Sequence, residues 1–119
     1  MAKQLVRVLN ATRSTLLGER ISVADTSWSR IVGLLGKPGL GSGEGLLIIP
    51  SQAVHTVAMR FAIDVLFLDR NCLVLHVQPA LTPYRVTRVH WRARCVLELP
   101  AGVIAQSATS IGDELLIEQ

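Results

Sequence analysis

A chain of 119 residues can bury one hydrophobic core and reads as a single domain, residues 1–119. Half of the residues are hydrophobic but only 4% are aromatic, so Leu, Val and Ile must form most of that core, and the net charge of +3 is modest. No run approaches the ~20 apolar residues of a membrane helix, and the start Met-Ala-Lys-Gln-Leu-Val-Arg has no apolar leader core, so a cytoplasmic protein away from membranes is expected.

Leu5 to Leu9 and Arg20 to Ala24 read as two short strands joined by a polar turn. Asp25-Thr26-Ser27 then offers oxygens to cap a helix. Trp28, Ile31, Val32 and Leu35 follow with helical spacing, which predicts a helix of about ten residues ending near Gly36. Gly33 within it is expected to let the helix approach the sheet closely. Residues 36–45 form a Gly-rich loop. Its Gly36-Lys37 is followed by Pro38, comes after a helix and leads into a strand, so it is not a phosphate-binding loop. Leu46 to Ile49 is the next strand.

The strongest strand signal is Ile63 to Leu68, and one acid, Asp64, interrupts it. Strand alternation places Asp64 on the side of Leu66 and Leu68, where an ionised carboxylate is costly unless paired or hydrogen-bonded. His55, Arg60 or Arg30 could supply that partner, and so could backbone N–H groups of the irregular 55–60 segment. Asp69-Arg70-Asn71 then turns the chain into Cys72 to Val77, which predicts a β-hairpin. Tyr84 to Trp91 reads as a further strand and Cys95 to Leu99 as a buried one. A short helix is expected from Pro100 to about Ser107, and Glu114 to Glu118 is the last strand. Cys72 and Cys95 read as buried free thiols. The total is about eight short strands and two short helices without βαβ alternation. This predicts a mainly β protein, α+β at the margin: an antiparallel sandwich or a partly closed barrel.

The candidate binding residues are His55, Thr56, Met59, Arg60 and Asp64, with Arg30 and Glu98 behind them. Glu98 interrupts an apolar run as Asp64 does, and Arg30, Asp64 and Glu98 meeting in one pocket would mark a site. The reading is a non-catalytic binding module with a small polar pocket beside the central strand, its partner a small polar ligand or a protein. No catalytic residue is assigned. The enzymatic alternative is a small hydrolase using His55 as base with Asp64 orienting it. No metal or cofactor is expected, because His55, Met59, Cys72, His76, His90 and Cys95 lack zinc-site spacing. The run Tyr84-Arg-Val-Thr-Arg-Val-His-Trp91-Arg-Ala-Arg94 holds four arginines, two aromatics and no acid. It could grip nucleic acid, but strand alternation would send Arg85 one way and Arg88, Arg92 and Arg94 the other, so a solvated face is preferred.

The chain resembles a bacterial and archaeal family of uncharacterised small proteins, domain of unknown function family 192, over roughly Ser22 to Glu118. The resemblance is carried by Arg30-x-x-Gly33-Leu34, Gly45-Leu-Leu-Ile and His55-Thr-x-x-Met59-Arg-x-x-Ile-Asp64-Val-x-Phe-Leu-Asp69. Val96-Leu-Glu98-Leu-Pro100-Ala-Gly102 and Gly112-Asp113 complete it. It implies a mainly β domain with short helices and no established activity. The family often has Pro where this chain has Ala62, and many relatives carry Trp-Met-Lys-Asn-Thr where this chain has Thr56 to Phe61.

Overall fold

The computed structural model describes residues 4–26, 29–30, 33–34, 36–57 and 59–119. The strands run β1 (Leu5–Asn10), β2 (Thr15–Ala24), β3 (Glu44–Ile48), β4 (Ile63–Leu68), β5 (Val74–Leu81), β6 (Cys95–Pro100) and β7 (Leu115–Glu118), and a short helix, α1 (Val103–Gln106), precedes β7. They form one sheet in the order β5-β4-β6-β3-β2-β1-β7. Only β2 and β3 pair in parallel; every other neighbouring pair is antiparallel.

The hairpin read at the centre of the chain is present as β4 and β5. Asp69 makes its turn, because Oδ1 accepts from Asn71 N at 2.8 Å and from Leu73 N at 3.0 Å. The sheet curls until its two edges meet at one end. There Leu73 bridges Glu114, Val74 N donates to Asp113 O and Leu115 N donates to Cys72 O, both at 2.9 Å. Closing the edges satisfies strand groups that would otherwise stay unpaired. The fold is therefore a mainly β half-barrel, not two stacked sheets.

Alternation along each strand sorts the side chains into two layers. Val8, Leu17, Ile21, Leu47, Leu66, Leu68, Val74, Leu97, Leu99 and Leu115 fill the barrel interior, and Ile104 of α1 plugs it. Ile63, Val65, Phe67, Val96, Leu46 and Ile48 point outward and pack under Leu34, Val54, Met59 and Ala93. Gly45 is where the two layers leave no room, since a Cβ there would lie 2.7 Å from Glu98 O and 2.8 Å from Ile21 Cδ1.

Two expectations need correction, and a third falls outside the described residues. Tyr84 to Trp91 is not a strand, for only Val86 makes a bridge, to His55, so seven strands are described where about eight were expected. The apolar face of the helix expected from Trp28, residues 28, 31, 32 and 35, lies outside the described ones. Its cap is in place, with Thr26 Oγ1 accepting from Ser29 N at 3.0 Å. Gly33, however, lies at φ 49, and a Cβ there would meet Leu46 only at an ordinary 3.9 Å. Backbone conformation, not close approach, asks for glycine at that position. Among the described residues no helix is long and apolar enough to cross a membrane.

A buried polar network ties β1 to the loop before β7. Asn10 Nδ2 donates to Thr109 Oγ1 (3.0 Å) and Asp113 Oδ2 (2.9 Å), while its Oδ1 accepts from Arg13 N. Burial alone would raise the Asp113 carboxyl, but hydrogen bonds from Asn10, Ser110 and Arg13 outweigh it and hold the group below its usual range. Asn10→Ala orphans buried partners and is expected to cost about 1–3 kcal/mol in urea unfolding at neutral pH. Because the Asp113 carboxyl is depressed, its contribution is present above the unfolded pKa and lost as pH falls through the folded one. The gap between the two proteins should therefore narrow in acid. A gap that did not change with pH would remove Asp113 from the account.

Candidate functional site

Asp64 is buried, with 1% of its surface exposed, and its partners are neither His55, Arg60 nor Arg30. They are not the amides of the 55–60 segment either. Oδ1 accepts from Ala80 N at 2.8 Å; Oδ2 accepts from Gly102 N at 3.1 Å and Ile104 N at 2.9 Å. The carboxylate thus fastens the plug helix α1 and the far end of β5 to β4. It performs the structural task that a carboxylate on an apolar face needs.

Glu98 is buried too, but on the other side of the sheet. Asp64 pairs with Leu99, whose side chain is interior, whereas Glu98 pairs with Val65 and Leu46, whose side chains belong to the outer layer. The pocket expected from Arg30, Asp64 and Glu98 therefore does not form, because the sheet itself separates the two acids. Burial pushes the Glu98 carboxyl up to about 7. Met59 is buried in the same outer layer, Arg30 is half-buried and Arg60 is exposed.

Thr56 and His55 belong to a different construction. The segment 52–57 lies along 82–92 as an irregular two-stranded ribbon outside the seven-stranded sheet. Thr56 N donates to Arg85 O (2.8 Å), Thr87 N to Val54 O (2.9 Å), Tyr84 N to Thr56 O (3.0 Å) and His90 N to Gln52 O (2.8 Å). Side chains complete what the strand ladder does not. Buried Thr56 donates through Oγ1 to Thr82 O at 2.6 Å and accepts from Arg85 N at 2.9 Å. Thr87 Oγ1 accepts from Val54 N at 3.0 Å, and Gln52 Nε2 donates to Trp91 O at 2.8 Å.

His90 roots the ribbon. Its ring lies 4.1 Å from that of buried Phe67 and stacks on His76 of β5 at 4.8 Å and 22°. Desolvation, then the neighbouring His76 and Arg88, lower its pKa and so favour the neutral imidazole. Hollows of about 220 Å³, lined by Leu75, His90, Trp91 and Arg92, and about 370 Å³, lined by Pro50, Ser51, Gln52, Ala93 and Arg94, lie at the ribbon's foot.

What the ribbon presents to solvent is unusual. Tyr84 and Val86 are 73% exposed and Trp91 78%, with Val57 and Val89 also exposed. Arg85, Arg88, Arg92 and Arg94 are all exposed, and none of the carboxylate ion pairs among the described residues involves them. Between Asp69 and Glu98 the chain has no acid. The sequence displayed this basic-aromatic run; assuming a strand divided it between two faces. The His76–His90–Phe67 stack was missed altogether, since no local spacing signals it. Cys72 and Cys95 are free and pack in one interior cluster, where desolvation pushes the Cys95 thiol up to about 12 and makes it inert. Among the described residues no group of three or more His, Cys, Asp or Glu could hold a metal.

Comparison with known proteins agrees with the motif reading and extends it towards the N-terminus. The family model DUF192, described as Uncharacterized ACR, matches residues 8–117. A UPF0127 protein of Thermococcus sibiricus is 31% identical over 113 residues, 91% of this chain and 72% of that protein. A UPF0127 protein of Pyrococcus furiosus is 30% identical over 114 residues, 91% of this chain and 95% of the relative. Two crystal structures share the fold. One is a protein of unknown function from Novosphingobium aromaticivorans, with TM-score 0.81 and 21% identity over 96% of this chain and 84% of that one. The other is described as a putative transcription regulator of Sinorhizobium meliloti, with TM-score 0.82 and 23% identity over 98% of this chain and 94% of that one. The chain is a member of the uncharacterised DUF192 family.

Proposed function

We propose that this domain is a non-catalytic binding module that holds an anionic partner on the ribbon formed by 52–57 and 82–92. One observation carries the reading: arginines that have no carboxylate partner among the described residues stand beside aromatic rings left in water. A solvated surface of no consequence would interleave acids with the arginines, and its rings would be tucked inward. The polar pocket first expected beside Asp64 moves to the hollows at the ribbon's foot, which His90, Trp91, Arg92 and Arg94 edge. The hydrolase alternative draws no support, because buried Asp64 is engaged by backbone amides while His55 is exposed, and among the described residues no hydrogen bond joins the two.

The test is retention on heparin, a generic polyanion. Reversing Arg85, Arg88 and Arg92 to Glu should lower the salt needed for elution well below that of a variant reversed at Arg20, Lys37 and Arg70, away from the ribbon. Both variants change the net charge equally. Equal elution of the two would defeat the proposal. All of these side chains but half-buried Lys37 are exposed, so both variants should fold.

A further inference from the structure

We infer that the partner of the ribbon is single-stranded nucleic acid, its phosphates held by Arg85, Arg88, Arg92 and Arg94 and its unpaired bases stacked on Trp91 and Tyr84. This inference rests on the binding reading above and names the class of partner. Three features of the surface separate that class from other polyanions.

All four cations of the 82–94 segment are arginine, as are ten of the twelve Lys and Arg residues of the chain. A guanidinium meets a phosphate with two parallel N–H donors and also stacks on planar rings, which an ammonium cannot do. A lipid surface makes no such distinction, since its headgroups attract lysine equally well.

The second feature is the pair of free rings. Trp91 and Tyr84 lie at the outer surface of the ribbon and neither packs on another aromatic ring among the described residues. An acidic protein segment would be satisfied by charge alone and would leave both rings in water. A base has a flat face of matching size, and stacking on it removes both faces from solvent. Bases within a duplex are already stacked on one another, so the geometry points to single strands.

The third feature is that the surface is presented rigidly. Thr56, Thr87 and Gln52 clamp the two segments together, and the His90 stack on Phe67 anchors them to the sheet. Trp91 and Arg92 sit directly after that anchor, so they are held in place without ligand. A pre-formed platform binds with less ordering cost than a loop that must first be fixed.

The experiment is fluorescence anisotropy with labelled oligothymidylate and oligouridylate of about 15 nucleotides, near the upper site size of a small single-strand-binding domain. Binding should be strong at low salt and fall with rising salt. Arg88→Gln with Arg92→Gln should flatten the log–log salt slope by about 1.4, the equivalent of two phosphate contacts on a single strand. Trp91→Ala should weaken binding about 5- to 150-fold with little change in salt slope, because stacking is not ionic. A duplex of the same length should bind more weakly and should not respond to Trp91→Ala.

Polyglutamate and phosphatidylserine vesicles are run beside the oligonucleotides. If either binds through the ribbon arginines while the oligonucleotides do not bind, the nucleic-acid assignment is overturned and the binding module stands. If no anionic probe binds, or binding is indifferent to every ribbon variant, both readings fall. Oligonucleotide binding that responds to the arginines but not to Trp91 also overturns this inference, leaving a charged surface without a stacking platform.

Discussion

Asp64→Ala is expected to lower stability by about 3–5 kcal/mol, a loss at the upper end of what single substitutions do. Three backbone donors depend on this carboxylate. Ala80 N lies at the end of β5, while Gly102 N and Ile104 N open the helix that plugs the barrel. Alanine leaves all three without an acceptor, and a buried donor without a partner costs about 1–3 kcal/mol. For a domain of this size the melting temperature should drop on the order of 15 °C. Asp64→Asn separates hydrogen bonding from shape. An amide keeps one acceptor oxygen but places donors against the N–H groups that faced the other, so it should recover only part of the loss. His55→Ala, at an exposed residue, should melt within about 0.5 kcal/mol of wild type. An Asp64→Ala protein that melted at or above wild type would return the carboxylate to the list of functional groups, since residues kept for function are often retained at a cost in stability.

That expectation was only half legible in the sequence. An acid inside an apolar strand announces that it has partners, but not which ones. The amides it meets lie 16, 38 and 40 residues further along the chain, and only the fold brings them together. The same holds for the relation between Asp64 and Glu98. Parity within a strand gives each acid a side, but relating the two sides requires the register between β4 and β6, which is a tertiary fact. Local chemistry was readable wherever it was self-contained. The β4–β5 hairpin follows from alternation and a turn built by Asp69, and the Thr26 cap follows from its hydroxyl; the short helix α1 is present as expected, but Pro100 ends β6 instead of opening the helix, which starts at Val103.

The 82–92 segment shows the opposite failure. Its β-branched and aromatic content reads as a strand, and the chain there is indeed close to another segment. Yet threonine and glutamine side chains make several of the hydrogen bonds that a regular ladder would have made, so the alternation rule does not sort its side chains. Strand propensity describes a side chain that fits a half-buried pleated surface, and this segment packs against the sheet without being one of its strands. Once that premise goes, so does the reason for scattering its arginines over two faces.

Glu98→Gln should raise stability at pH 8, on the order of 3 kcal/mol, and change it little at pH 4. Burial lifts the folded carboxyl to about 7 from an ordinary value of 4.5. Between those values the folded protein holds a proton that the unfolded chain has released, so wild-type stability falls as pH rises through this interval. Above it the buried group is ionised, and the full difference of about 2.5 pH units corresponds to roughly 3 kcal/mol. Glutamine has the same shape and never ionises, which removes that cost without opening a cavity. At pH 4 both side chains are neutral and the two proteins should unfold alike. Urea unfolding at the two pH values is the measurement, and equal pH dependence in wild type and variant would show that the carboxyl is not the group responsible. The contrast with Asp64 follows from hydrogen bonding. Asp64 accepts from three backbone amides, while Glu98 sits between Leu46 and Val65 in an apolar layer that penalises its ionised form. One acid holds the barrel together, and the other weakens it at every pH above its own titration.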